Sequence, residues 1–208
     1  MRKIIIFISI VSITLTGFTQ ENIETQLKSV TIGTQIWAQQ NLKTSTFNDG
    51  EKIPFITDNK EWELTTSPAY CIVHIDSTNT DEYLYNWFCA KSGKLCPTGW
   101  HVPEDDEWSV LTGFIGGELH GGDLKDTIGW KQPNLQANNT YGFSGKPAGY
   151  RAKSGMYYNQ FTHAFFWTTS PCLNNTSWYR SLGYKDVIIG STPHSVNNGY
   201  SVRCLKNK

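Results

Sequence analysis

Apolar and polar positions alternate at the start of the readable chain. Val30 and Ile32 interleave with Ser29 and Thr31, Gly33-Thr34 supplies a turn, and Ile36 and Trp37 resume the run. Alternation around a glycine-containing turn predicts a β-hairpin over residues 29–40. Asn48-Asp49-Gly50 predicts a second tight turn, because Asn, Asp and Gly tolerate the conformations turns require. The period then changes. Leu84, Trp87 and Phe88 stand at i, i+3 and i+4, which predicts a helix over residues 81–91, capped by Asp81 and stopped by Gly93. A second helix is expected over residues 104–115. Pro103 stands at its start, Glu104, Asp105, Asp106 and Glu107 fill the first turn, and Trp108, Leu111 and Ile115 form the apolar stripe. Trp108 and Leu111 are expected to pack against the helix over 81–91. The acidic run suits the helix dipole, so it reads as capping ahead of a catalytic or calcium cluster.

Beyond residue 120 the texture is Gly, Asn, Ser, Thr and aromatic. A short helix is expected over 123–128, and short strands over 164–168, 178–182, 186–189 and 200–205. Two early helices followed by a small twisted antiparallel sheet with long loops make an α+β class.

The first twenty residues stand apart. Arg2 and Lys3 precede the apolar run from Ile4 to Leu15, and small or polar residues follow at Thr16, Gly17 and Thr19. That is the layout of a secretory signal peptide, and the run is short of the roughly 20 residues a membrane span needs. Residues 1–20 are therefore expected to be a signal peptide, 21–28 a loose lead-in, and 29–208 a single domain, with no membrane span after cleavage. Export places the protein in the periplasm, on the cell surface or outside the cell. Losing Arg2 and Lys3 leaves a net charge of −2. Such a chain has no electrostatic footprint for nucleic acid.

An exported chain can keep disulfides, and five cysteines (Cys71, Cys89, Cys96, Cys172 and Cys204) leave at least one unpaired within the chain. No pair has zinc-knuckle spacing. Gly142-Phe143-Ser144-Gly145 is not a nucleophile elbow, and Gly93-Lys94-Leu95 is not a phosphate loop. None of His74, His101, His120, His163 and His194 stands two or four residues from another, the spacings that aim two imidazoles at one metal. The expected reading is no enzyme and no cofactor. Calcium is the alternative cofactor, with oxygens at Asp76, Thr78, Thr80 and Glu82, but the stretch lacks the central glycine of a helix–loop–helix calcium loop.

The stretches VTIGTQIWAQQNLKTSTFNDGEKIP (30–54), SPAYC (67–71), LYNW (84–87), GKLCPTGWHVPEDDEW (93–108) and GYSVRC (199–204) resemble, in order and spacing, the Fibrobacter succinogenes major paralogous domain. That resemblance implies a C-type-lectin-like α+β fold and export, and it implies no established activity. Two calcium-site motifs of sugar-binding lectins, EPN and WND, are missing; Gln132-Pro133-Asn134 echoes the first. The lectin-like fold also implies a bridge from the last strand to the region of the first helix, assigned here to Cys96 and Cys204 with Cys89 as the rival. A second pair, Cys89 with Cys172, would leave Cys71 odd.

The functional expectation is a binding module for a glycan or a surface protein. Trp178, Tyr179 and Tyr184 with Asn174, Asn197 and Asn198 are its candidate contacts, since rigid aromatics with amides build recognition surfaces. The same aromatics also suit a core, where each buries about 150–250 Å². Two alternatives remain: a structural surface or matrix protein without a specific ligand, and a redox enzyme like the formylglycine-generating enzymes, using Cys172 and Cys204.

Overall fold

The computed structural model describes residues 27–75 and 81–208. The signal-peptide reading and most of the lead-in lie outside the described residues, as do residues 76–80 of the calcium stretch. Among the described residues no helix is long and apolar enough to cross a membrane.

The chain folds mostly as strands, in four small antiparallel sheets. The first hairpin forms as its alternation predicts: β1 (Ser29–Ile32) pairs with β2 (Gln35–Ala38), and Gly33 turns between them at φ +61°. A side chain at Gly33 would also collide with the Phe114 ring, 2.8 Å from where its Cβ would stand. Two short strands, β5 (Trp100–His101) and β11 (Leu205–Lys206), complete that sheet in the order β1-β2-β11-β5. The short helix α1 (Asn59–Leu64) is capped by the Asp58 carboxylate, which accepts from the Glu61 amide at 2.8 Å.

The helix expected over 81–91 is overturned. β4 (Asp81–Tyr85) pairs with β3 (Tyr70–His74), Leu84 lying opposite Cys71, and only the single turn α2 (Trp87–Ala90) is helical. The i, i+3, i+4 stripe spans a strand–helix junction. Leu84 is buried from the strand, and Asn86, not Asp81, caps the turn by accepting from the Cys89 amide at 3.2 Å.

α3 (Asp105–Phe114) is the predicted second helix, with Glu104 and Glu107 forming a reciprocal capping box and Gly116 and Gly117 following at positive φ. Trp108, Leu111 and Ile115 are buried. Their partners are not α2: they pack with Ile32, Trp37, Phe143, Phe166 and Leu182. The helix expected over 123–128 is replaced by a 3-10 segment, Glu118–Leu124.

Two further strands, β6 (Tyr150–Arg151) and β7 (Tyr157–Tyr158), form a minimal pair. The longest strands form a three-stranded sheet of β8 (His163–Pro171), β9 (Thr176–Gly183) and β10 (Ile189–Ser195), with β9 central. The third and fourth strands expected from sequence shift accordingly. Only Ile189 of 186–189 belongs to β10. The segment 200–205 joins the body through bridges, Tyr200 to Tyr85 and Ser201 to Phe166, before β11 begins. The expected C-type-lectin-like α+β layout with two early helices is therefore corrected. One of its two helices is a strand, and the molecule is built from small sheets clamped together by irregular segments.

Buried cations do much of that clamping. The Lys125 ammonium donates to the carbonyls of Leu135, Gly183 and Asp186 at 2.8, 2.9 and 3.0 Å, joining three loops. The Arg151 guanidinium, stacked 4.5 Å over Trp62, donates to the carbonyls of Ile56, Thr57 and Gly155. Arg203 holds the carbonyls of Ala38 and Phe143 and the Asn41 amide oxygen, and burial pushes its pKa down to about 9. Each supplies donors to main-chain carbonyls in loops and at strand ends, groups that need a partner when buried.

Candidate functional site

Strand alternation gives the β8–β9–β10 sheet two faces. One carries Ala164, Phe166, Leu182 and Ile189 onto α3 and its tryptophan cluster. There Arg180 clamps the Asp105 carboxylate of α3 through two 2.7 Å hydrogen bonds. The other face carries Phe165, Trp167 and Tyr179 against Tyr200, and part of it is left uncovered.

The uncovered part is a cleft of about 290 Å³. Its floor is Phe165 and Tyr200, stacked at 5.4 Å. Tyr179 stands 4.9 Å from Tyr200 on one side, and Tyr150 stands 5.6 Å from it on the other. His194 reaches toward both walls, with ring centroids 6.4 Å from Tyr150 and 6.3 Å from Tyr179. His163 lies parallel to Phe165 at 5.7 Å, and Asn159 and Ser181 add an amide and a hydroxyl to the lining. Tyr158 backs Tyr150 at 5.6 Å.

Burial pushes the phenols of Tyr150, Tyr179 and Tyr200 up, and it pushes His163 down below its ordinary value. At neutral pH the phenols are protonated and His163 is neutral. Among the described residues the lining contains no carboxylate, ammonium or guanidinium. It is a set of phenol, imidazole, amide and hydroxyl groups around aromatic rings.

The rim is set by backbone in the left-handed region. Asn159 and Phe161 have φ of +62° and +63°, and Phe161 is locked there by its amide donating to Pro147 and its carbonyl accepting from Lys131. A bulky residue held in that conformation stores strain of the kind that accumulates beside binding surfaces.

The six sequence candidates do not form one site. Tyr179 lines the cleft. Trp178, its neighbour on β9, points by alternation to the α3 face with Arg180, opposite Pro193. Asn198 is buried beneath the cleft, where its amide donates to the Tyr200 hydroxyl at 3.0 Å and contacts the His194 ring, and its oxygen accepts from the Lys153 amide at 2.9 Å. Tyr184 lies beyond His163, with ring centroids 6.4 Å apart. Asn197 ties Thr65 at 2.6 Å, and Asn174 sits with Asn175 at the β8–β9 turn, both at φ +57°. Those two asparagines are explained by the turn they make. Tyr150, Asn159, His163, Phe165, Ser181, His194 and Tyr200 were missed. The two-residue period His163–Phe165 and Tyr179–Ser181 was the available signal, and it separates Trp178 from Tyr179.

Cys96 and Cys204 are bridged across 108 residues. The second pair is overturned: Cys71, Cys89 and Cys172 are free thiols. Cys89 is buried on α2 beside the Ala69 carbonyl, and burial pushes its thiol up to about 12. Cys71 is likewise pushed up to about 11. Cys172 and Cys204 cannot act as a dithiol pair while Cys204 is bonded to Cys96. Among the described residues no group of three His, Cys, Asp or Glu is placed to hold a metal ion. Asn134, in the lectin-motif echo, holds the Asp126 carbonyl at 3.1 Å.

Searches of curated proteins and of solved structures return no match. Residues 30–206 match the model of the Fibrobacter succinogenes major domain, covering both ends of the first sheet, the bridge and the cleft. The resemblance carried by the hairpin, the GKLCPTGWHVP stretch and the closing GYSVRC thus extends over nearly all of the described chain, which belongs to the Fibrobacter succinogenes major domain family.

Proposed function

We propose that the protein is an exported binding module and that its ligand enters the cleft on the open face of the β8–β9–β10 sheet. The observation that carries this reading is the cleft itself: aromatic walls, a stacked aromatic floor and polar groups converging from five separate segments. Pockets that bind small groups have this make-up, and at about 290 Å³ this one lies just below their size range of about 300–1,000 Å³. It suits one terminal group of a larger ligand, from a glycan or from a protein. Export is supported by the basic, apolar and small-residue order of residues 1–20.

A glycan and peptide array probed with the exported protein tests the reading. Binding should be lost in Tyr179→Ala and retained in Leu173→Ala, whose side chain is exposed at the far turn. Ligands that bind equally well to Tyr179→Ala would remove the cleft as the site.

A further inference from the structure

We infer that the group the cleft accepts is an uncharged pyranose ring at the end of a neutral glycan. This rests on the binding-module reading and narrows it to one chemical class.

Three features of the cleft lead there. The lining side chains are phenol, imidazole, amide and hydroxyl, so a charged group entering the cleft would leave water and meet no carboxylate, ammonium or guanidinium among them. Desolvating an unpaired charge is among the largest penalties in recognition. Acidic sugars, phosphorylated ligands and charged side chains are therefore disfavoured.

The geometry suits a ring. Tyr150 and Tyr179 each stand edge-on or tilted to the stacked, buried Phe165–Tyr200 floor, so two partly exposed aromatic rings flank the space on either side. The C–H faces of a pyranose pack on such surfaces, and its equatorial hydroxyls extend outward in the plane of the ring. At the periphery stand the groups that can take those hydroxyls: His163 and Asn159, able to donate and to accept, and His194, whose Nδ1 is taken by the Asn198 amide and whose Nε2–H is left to donate. A flat aromatic side chain from a protein would fill the slot but leave these polar groups without partners, a mismatch costlier than lost contact area.

The polar rim is also held in place. Asn198, buried below, bonds both the Tyr200 hydroxyl and the His194 ring, fixing a floor residue and a rim residue through one amide. A preorganised polar group loses less entropy on binding than a mobile one.

The test titrates the full exported protein with methyl glycosides of glucose, galactose and mannose, with glucuronic acid and N-acetylneuraminic acid, and with a capped Gly-Tyr-Gly peptide. Amide chemical shifts and calorimetry provide the readout. At least one neutral glycoside should shift resonances at Phe165, Tyr179 and Tyr200, bind at least roughly tenfold tighter than every acidic sugar and the peptide, and lose roughly tenfold or more in Tyr179→Ala. Should Tyr179→Ala fail to fold, His194→Ala at an exposed position carries the same comparison. An acidic sugar or the peptide binding best, still dependent on these residues, would overturn the neutral-glycan class and leave the cleft as the site. Binding indifferent to both variants would overturn the cleft and the class together. Shifts at the cleft from none of the neutral glycosides would overturn the class.

Discussion

Removing the Cys96–Cys204 bridge should cost the protein much of its stability. The bridge closes 108 residues, a loop that contains α3, all of the β8–β9–β10 sheet and the cleft. In the loop-entropy account, a cross-link of that span removes about 4.7 kcal/mol of freedom from the unfolded chain at 25 °C. The native side of the balance changes little. Both sulfurs lie in the core, and the closing segment stays tied by its main chain, with Ala38 donating to Cys204 at 2.9 Å, Leu42 to Val202 at 2.8 Å and Trp167 to Ser201 at 3.1 Å. The Cys96→Ser, Cys204→Ser double variant should therefore remain folded and lose about 2–5 kcal/mol in urea denaturation, the range seen when native bridges are removed. Single domains are stable by only about 5–15 kcal/mol, so the midpoint should move visibly. Reductant should shift the parent protein in the same direction and leave the variant unmoved. A loss below about 1 kcal/mol would refute the entropic argument. A Cys89–Cys204 peptide, or alkylation of both Cys96 and Cys204 without reductant, would refute the connectivity beneath it.

Native alkylation at about pH 8 should label Cys172 first, because burial raises the thiols of Cys71 and Cys89 to about 11 and about 12; mass spectrometry showing those two labelled as fast as Cys172 would contradict their placement. Lys125→Met should cost about 2–4 kcal/mol in the same denaturation assay, since it leaves the carbonyls of Leu135, Gly183 and Asp186 buried without their donor; a neutral result would show that water replaces the ammonium. Acid should weaken the fold at His163. Burial holds its folded pKa below the ordinary 6.5, so the unfolded chain takes up the proton more readily. Its contribution is complete above about pH 6.5 and is lost as pH falls through that value toward the depressed one. Thermal melts of His163→Gln should thus decline less than the parent between about pH 6.5 and 5, and parallel declines would remove His163 as a source of the sensitivity.

The sequence by itself determined what depends on short range. The first hairpin follows from alternation around Gly33, because a two-residue period with a turn has one compact solution. Helix α3 follows from its capping box and its Trp108–Leu111–Ile115 stripe. The bridge habit of lectin-like folds, with the family-like stretch over residues 93–108, favoured Cys96 over its rival Cys89 as the partner of Cys204, and the bond is Cys96–Cys204.

Tertiary structure decided the rest. Leu84, Trp87 and Phe88 have helical spacing, yet Leu84 belongs to a strand, paired opposite Cys71 and fully buried. Propensity yields to such pairing, and nothing local announces the partner. The cages around Lys125, Arg151 and Arg203 are equally silent in sequence, since most of their acceptors are main-chain carbonyls that every residue possesses. The cleft is the clearest case. Its walls come from residues near 150, 163, 180, 194 and 200, and its existence depends on one face of a three-stranded sheet being left uncovered while α3 fills the other. A side chain's face follows from its parity along the strand. Whether that face meets solvent or core follows only from how distant segments pack against it.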